Sequence, residues 1–115
     1  MRLKKWKYGL IAGILFLLSG LAYAQFVYEK VTVGSTVATL TAAKYGVNVK
    51  SGFITCEDSA IRFTVDGITV PTFEGVGHRL EIGQSLYLNK YQVVNFKAVR
   101  ASATDANLRV TYSDY

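Results

Sequence analysis

Short runs of period-two alternation, broken by turn residues every few positions, fill this chain from residue 27 onward. Side chains on a strand point to opposite faces in turn, so such runs make half-buried strands, whereas a helix repeats its apolar positions every three or four residues. The clearest run is Ala60-Ile61-Arg62-Phe63-Thr64-Val65. Ile61, Phe63 and Val65 share one face, and Arg62 and Thr64 take the other. Further strands are expected at 27–33, ended by Gly34-Ser35, and at 36–41, which is rich in β-branched residues. Residues 47–50 and 53–56 read as strand pieces around Ser51-Gly52, and 78–82 and 85–88 as two more. In 93–100, Val94, Phe96 and Ala98 share a face. In 107–112, Leu108, Val110 and Tyr112 turn inward.

The punctuation between these runs is equally specific. Asp66-Gly67 is a preferred pair for a tight hairpin turn, so Ile68-Thr69-Val70 is the expected returning strand. Pro71 cannot donate to a ladder and ends that strand or marks an edge. Ala42-Ala43-Lys44-Tyr45 reads as a short helical turn closed by Gly46, and Glu57-Asp58-Ser59 as a turn. About eight short strands with no convincing helix define an all-β chain. The expected architecture is a single small antiparallel β-sandwich or jelly roll over residues 25–115.

The first 24 residues follow a different pattern. Residues 1–7 carry four positive charges and no acid, and no charged side chain occurs from Tyr8 to Tyr28. The apolar run 10–18 precedes Ser19-Gly20 and then Ala22-Tyr23-Ala24. A basic region, an apolar region and an A-x-A site in that order are the marks of a signal peptide, with cleavage expected after Ala24. The chain is then exported, to a periplasm or the extracellular space. The alternative is an N-terminal helix kept as a membrane anchor, although the dense apolar run is short against the ~20 residues of a bilayer span. Membrane contact is expected through this segment alone. Its removal takes Lys plus Arg from 13 to nine against eight acids, leaving a net charge of +1. The basic balance therefore belongs to the leader. The remaining cations are scattered, which argues against a nucleic-acid surface.

Little in the chain points to catalysis. One Cys excludes an internal disulfide, and one His leaves no His pair for a metal. Cys56 ends an apolar run beside Glu57 and Asp58, where a small buried thiol is expected and a thiolate is disfavoured. His78 follows a glycine loop, but no G-x-S-x-G, H-E-x-x-H or Cys-His pattern accompanies it. Gly75-Val76-Gly77 is too short for a phosphate cradle, and no calcium loop is present. No enzymatic activity, cofactor or metal is expected. The tyrosines are more informative. Tyr87 and Tyr91 fall away from the expected core faces, and tyrosine is enriched at interfaces.

The second half of the chain carries an ordered set of turn and core residues. It runs Arg62-Phe63-Thr64-Val65-Asp66-Gly67, then Pro71-Thr72, Gly75-Val76-Gly77-His78, Leu80 and Gly83-Gln84-Ser85-Leu86. Phe96-Lys97-Ala98-Val99-Arg100 and Thr104-Asp105-Ala106-Asn107-Leu108-Arg109-Val110-Thr111-Tyr112 complete it. This ordering resembles small all-β virion structural proteins of the decoration type, encoded in tailed-phage and related viral genomes. The resemblance covers about residues 60–112, with a weaker echo in 31–43. It implies an assembly role and brings no catalytic residue. An export signal departs from that pattern, because tailed-phage virions assemble in the cytoplasm. The domain then serves a bacterial envelope, joins an assembly completed outside the cytoplasm, or keeps its N-terminal helix as an anchor.

The leading expectation is a non-enzymatic exported structural subunit that works by protein–protein contact. Its partner is itself, as a homo-oligomer, or a larger surface assembly, with Tyr28, Tyr87 and Tyr91 as candidate interface residues. The alternative is a secreted ligand-binding module, for a glycan among other ligands. Its site would lie on the loops bearing Thr72, Phe73, His78, Thr104 and Asp105.

Overall fold

A computed structural model describes residues 26–114. The expected signal peptide and its cleavage site lie outside the described residues. Eight strands and two short helices follow in order: β1 (Phe26–Val33), β2 (Ala38–Thr39), α1 (Ala42–Tyr45), β3 (Ser51–Glu57), β4 (Ile61–Thr64), β5 (His78–Leu80), β6 (Ser85–Asn89), α2 (Lys90–Asn95), β7 (Lys97–Arg100) and β8 (Ala106–Ser113). They form two four-stranded antiparallel sheets, ordered β1-β8-β3-β6 and β2-β7-β4-β5. Strand one therefore lies beside eight, two beside seven, three beside six and four beside five.

The inner faces of the two sheets meet in one core. Val33, Ile54, Leu108, Val110 and Tyr112 enter it from the first sheet, and Ile61, Phe63, Leu80 and Ala98 from the second. Strict alternation in β3 and β8 puts every second residue inside, as a sheet with one solvated face requires. Phe63 and Phe96 stack at 5.7 Å, and Tyr45 meets the Tyr112 ring edge-on at 5.7 Å. Gly52 is needed where β3 crosses this cluster. A Cβ there would stand 3.0 Å from Val93 and 3.6 Å from the Tyr112 ring.

Five expectations are corrected. The strand expected at 93–100 starts only at Lys97, because Asn89 and Gln92 form a reciprocal capping box that turns 90–95 into α2. Val93 is then the buried residue, and Val94 faces solvent. Ile68-Thr69-Val70 does not return as a strand. The Asp66 carboxylate accepts from the backbone N–H of Ile68 (2.9 Å) and Thr69 (2.8 Å) and from the Thr69 hydroxyl (2.5 Å), closing a local turn instead of a hairpin. The partner of β4 is β5, beyond a loop of residues 65–77. Pro71 is buried within that loop and marks no strand edge. Finally, residues 47–50 are not a strand, β3 runs through Ser51-Gly52, and the strand at 36–41 shrinks to Ala38–Thr39. The expected turn at 42–45 forms, with Gly46 at φ 70° closing it.

Candidate functional site

The solvent-facing side of the first sheet carries the most distinctive surface among the described residues. Glu29 and Val33 face inward, so Phe26, Tyr28, Lys30 and Thr32 of β1 face out. Register then aligns residues distant in sequence. Tyr28 lies opposite Thr111, Thr111 opposite Phe53, and Phe53 opposite Tyr87, one outward row across all four strands. Tyr28 is 55% exposed and Tyr87 76%. The Phe53 and Tyr87 rings lie 4.8 Å apart at 44°, the tilted contact aromatic pairs favour. Beside them a groove of about 400 Å³ is lined by Phe26, Ser51, Phe53, Tyr87, Thr111 and Ser113, with the Gly52 backbone as part of its floor. No charged side chain lines it.

The other half of the same face is polar and tied together. Arg109 donates to Glu57 (2.9 Å) and to the Tyr28 hydroxyl (2.8 Å), so the Tyr28 ring is held in place. These two hydrogen bonds, Tyr28 first, raise the guanidinium pKa further above its ordinary value. Thr32 donates to Asn107 (3.0 Å), which donates to Asp58 (2.6 Å). Lys30 lies beside Arg109 in the register and makes no ion pair within the described residues.

The loop residues distribute over separate places. Phe73 lines a small cavity of about 180 Å³ with Ser35, Arg100, Ser102 and Ala103, so the 65–77 loop does reach the loop between β7 and β8. Thr72 stays within its own loop, where its hydroxyl accepts from the Val76 N–H. Asp105 binds Arg100 at 2.8 Å and packs beside Gly34. Thr104 is exposed in the loop preceding it. His78 is elsewhere. Its ring lies 5.5 Å from Phe63, and it shares a second cavity with Thr64, Asp66 and Thr69. The exposed Tyr91 sits in the first turn of α2, where its carbonyl accepts from Asn95. Tyr28 and Tyr87 are thus brought into one row, while Phe73 and His78 line different cavities.

Buried Glu29 was not anticipated, whereas buried Cys56 was. Glu29 lies beneath β1, where it accepts from the Tyr112 hydroxyl (2.5 Å), the Thr41 hydroxyl (2.7 Å) and the Thr41 N–H (3.2 Å). Burial first, then Glu29, drives the Tyr112 pKa well above that of a free tyrosine. Cys56 is fully buried and its thiol points at the Ser59 carbonyl (3.0 Å). Burial, followed by Glu81, Asp58 and Glu57, pushes its pKa up to about 11, which keeps it a thiol at neutral pH. No family model, curated protein or solved structure matches this chain.

Proposed function

We propose that this chain is a non-enzymatic, exported structural subunit that acts through protein–protein contact, in the manner of virion decoration proteins. We also infer that its two sheets form a jelly roll. The pairing of strands one with eight, two with seven, three with six and four with five supports that reading, since a long hairpin wound into two sheets gives this order.

One observation carries the functional reading: the outward row Tyr28–Thr111–Phe53–Tyr87 with the uncharged groove beside it. A contiguous exposed aromatic patch on a small domain marks an interaction surface. Both ends of the row are held, Tyr28 by Arg109 and Tyr87 by Phe53, so little side-chain freedom is lost on contact. The alternative, a glycan-binding module, draws support from the same groove. Aromatic rings flanked by the Ser51, Thr111 and Ser113 hydroxyls suit a neutral sugar ring better than a charged ligand.

Native mass of the protein recovered from its producing cells tests the reading. The cleaved subunit weighs about 10 kDa and the intact chain 12.7 kDa. A discrete oligomer or a larger particle supports the assembly role. A lone monomer that binds a neutral glycan overturns it in favour of the alternative.

A further inference from the structure

The two ends of the sandwich use their charges differently. Strand register places Glu57, the 81–84 turn and the 100–105 loop at one end, and Phe26, Ser51, Asn89 and Ser113 at the other. The three ion pairs among the described residues engage acids of the first end: Glu57 with Arg109, Glu81 with Arg79 and Asp105 with Arg100. The second end is crossed by the 40–50 segment, by α2 and by the start of the 65–77 loop. Its lysines Lys44, Lys50 and Lys90 are exposed, and none of them makes an ion pair within the described residues. Of its acids, Asp66 is bound within its own turn and Asp114 has an interaction of its own. This end therefore presents positive charge that the fold does not use.

Apolar side chains share the same end. α2 lies across it with Val93 buried, which turns Lys90, Tyr91 (77% exposed) and Val94 outward. The 40–50 segment buries Val49 and shows Val47 (88%) between Lys44 and Lys50, and the start of the 65–77 loop shows Ile68 (85%). These segments are joined across the end. The Lys50 N–H donates to the Ser113 carbonyl (2.8 Å), and Ser51 lies opposite Asn89, the N-cap of α2. At the far end of that helix, a Cβ on Gly67 would stand 2.9 Å from Asn95 Oδ1. Apolar and aromatic side chains interspersed with lysine make a surface suited to the headgroup layer of a bilayer.

Chain continuity selects the membrane as the occupant. β1 begins at this end, directly after residues 1–25 with their basic start and the apolar run 10–18. The segment read as an export signal enters a membrane beside this end, whether it is then cleaved or kept. We propose that this end of the domain docks on a membrane surface bearing anionic lipid. Lys44, Lys50 and Lys90 lie among the headgroups, and Val47, Ile68 and Tyr91 enter the interface. The strands then stand upright on the membrane, and the Tyr28–Thr111–Phe53–Tyr87 row faces sideways along it. The inference rests on the export part of the reading above and adds the surface on which the subunit works.

The test takes the chain as recovered from its producing cells and adds vesicles of phosphatidylglycerol mixed with phosphatidylcholine, or of phosphatidylcholine alone. Amide exchange maps the contact whether or not the leader is present. Slower exchange at 44–50, 67–68 and 90–94, stronger with the anionic vesicles, is the expected result. Protection elsewhere, or at none of these segments, overturns the proposal. Co-sedimentation of the cleaved chain gives the affinity. Lys44→Gln, Lys50→Gln and Lys90→Gln should each weaken binding by about fivefold, and the triple variant by about a hundredfold. Added salt should weaken the wild type in the same way. Ile68→Ser should cost about tenfold through lost apolar burial. All four side chains are exposed, so unchanged urea midpoints should show the fold intact. Lysine variants that bind as tightly as wild type, or equal binding to both kinds of vesicle, overturn the proposal and leave export standing. A chain found in the cytoplasm with residues 1–24 intact overturns export, and the exchange map still decides the docking.

Discussion

Tyr112→Phe isolates one buried hydrogen bond with little other change. The ring is 1% exposed and packed by Tyr45 and the core, so removal of a single oxygen keeps its apolar contacts. What is lost is the hydroxyl's bond to Glu29, a carboxylate that also holds Thr41 and through it the start of α1. A hydrogen bond to an ionised group is worth about 1.5–3 kcal/mol, and its loss leaves a buried oxygen with one donor fewer. The expected cost is therefore about 2 kcal/mol, a fall in Tm of roughly 10 °C for a domain of this size. Urea unfolding at pH 7 of wild type, Tyr112→Phe, Glu29→Gln and the double variant closes a cycle whose coupling is expected to exceed about 1 kcal/mol. The pH dependence provides a second reading. The folded pKa of Tyr112 lies above the unfolded value of ~10, so the folded state holds a proton that the unfolded state releases. This contribution is complete below pH ~10 and declines as pH rises beyond it. Wild type should lose stability there more steeply than Tyr112→Phe, and the gap between them should narrow. A loss below about 0.5 kcal/mol with no coupling would refute the reasoning, because it would mean that water serves Glu29 as well as Tyr112 does.

Three further outcomes follow from the same geometry. Cys56, buried with its pKa at about 11, should resist thiol reagents in the native protein at pH 8 and react at once in denaturant; rapid native labelling would contradict its burial. Asn89→Ala removes the acceptor for the Gln92 N–H and should cost about 1 kcal/mol, read from urea midpoints, with Gln92→Ala costing less once Asn89 is gone. The Asp66 carboxylate, held at about 2 by the Thr69 hydroxyl first and then the Ile68 and Thr69 N–H groups, keeps its turn closed above the ordinary carboxylate pKa. The turn should open as pH falls toward 2, with rising amide exchange at Ile68 and Thr69. Asp66→Asn should exchange faster at neutral pH and lose that pH dependence.

How far the sequence reveals this structure depends on the range of the force that decides each element. Ile61–Thr64 and Ala106–Ser113 were legible because alternation alone determines which side is buried. The turn closed by Gly46 was legible for the same local reason. At Asp66-Gly67 two local outcomes competed. The dipeptide suits a hairpin, but the Asp66 side chain found donors two and three residues ahead, and the exposed Ile68 and Val70 offered no apolar face to hold a returning strand. Helix α2 was misread because Val94, Phe96 and Ala98 mimic alternation. The competing signal, Asn89 followed three residues later by Gln92, was present and outweighs it, since it satisfies two backbone donors at once.

The groove lies beyond any such local reading. Its aromatic row takes residue 28 from one end of the described chain, 111 from the other, and 53 and 87 from between. Exposure of Tyr87 could be read from alternation, but its alignment with Tyr28 could not, because it depends on β8 inserting between β1 and β3. That insertion is a property of the strand order of the whole sheet. Its energy is shared among Val33, Ile54, Leu108, Val110 and Tyr112, none of which touches solvent to any extent. A one-residue slip of β1 against β8 would turn Tyr28 and Lys30 inward and bring Val27, Glu29 and Val31 to the surface. The buried Glu29–Tyr112–Thr41 cluster prevents that slip, since Glu29 meets its donors in one register only. The polar contact beneath the sheet and the aromatic surface above it are therefore consequences of the same pairing, and disruption of the first should disorder the second.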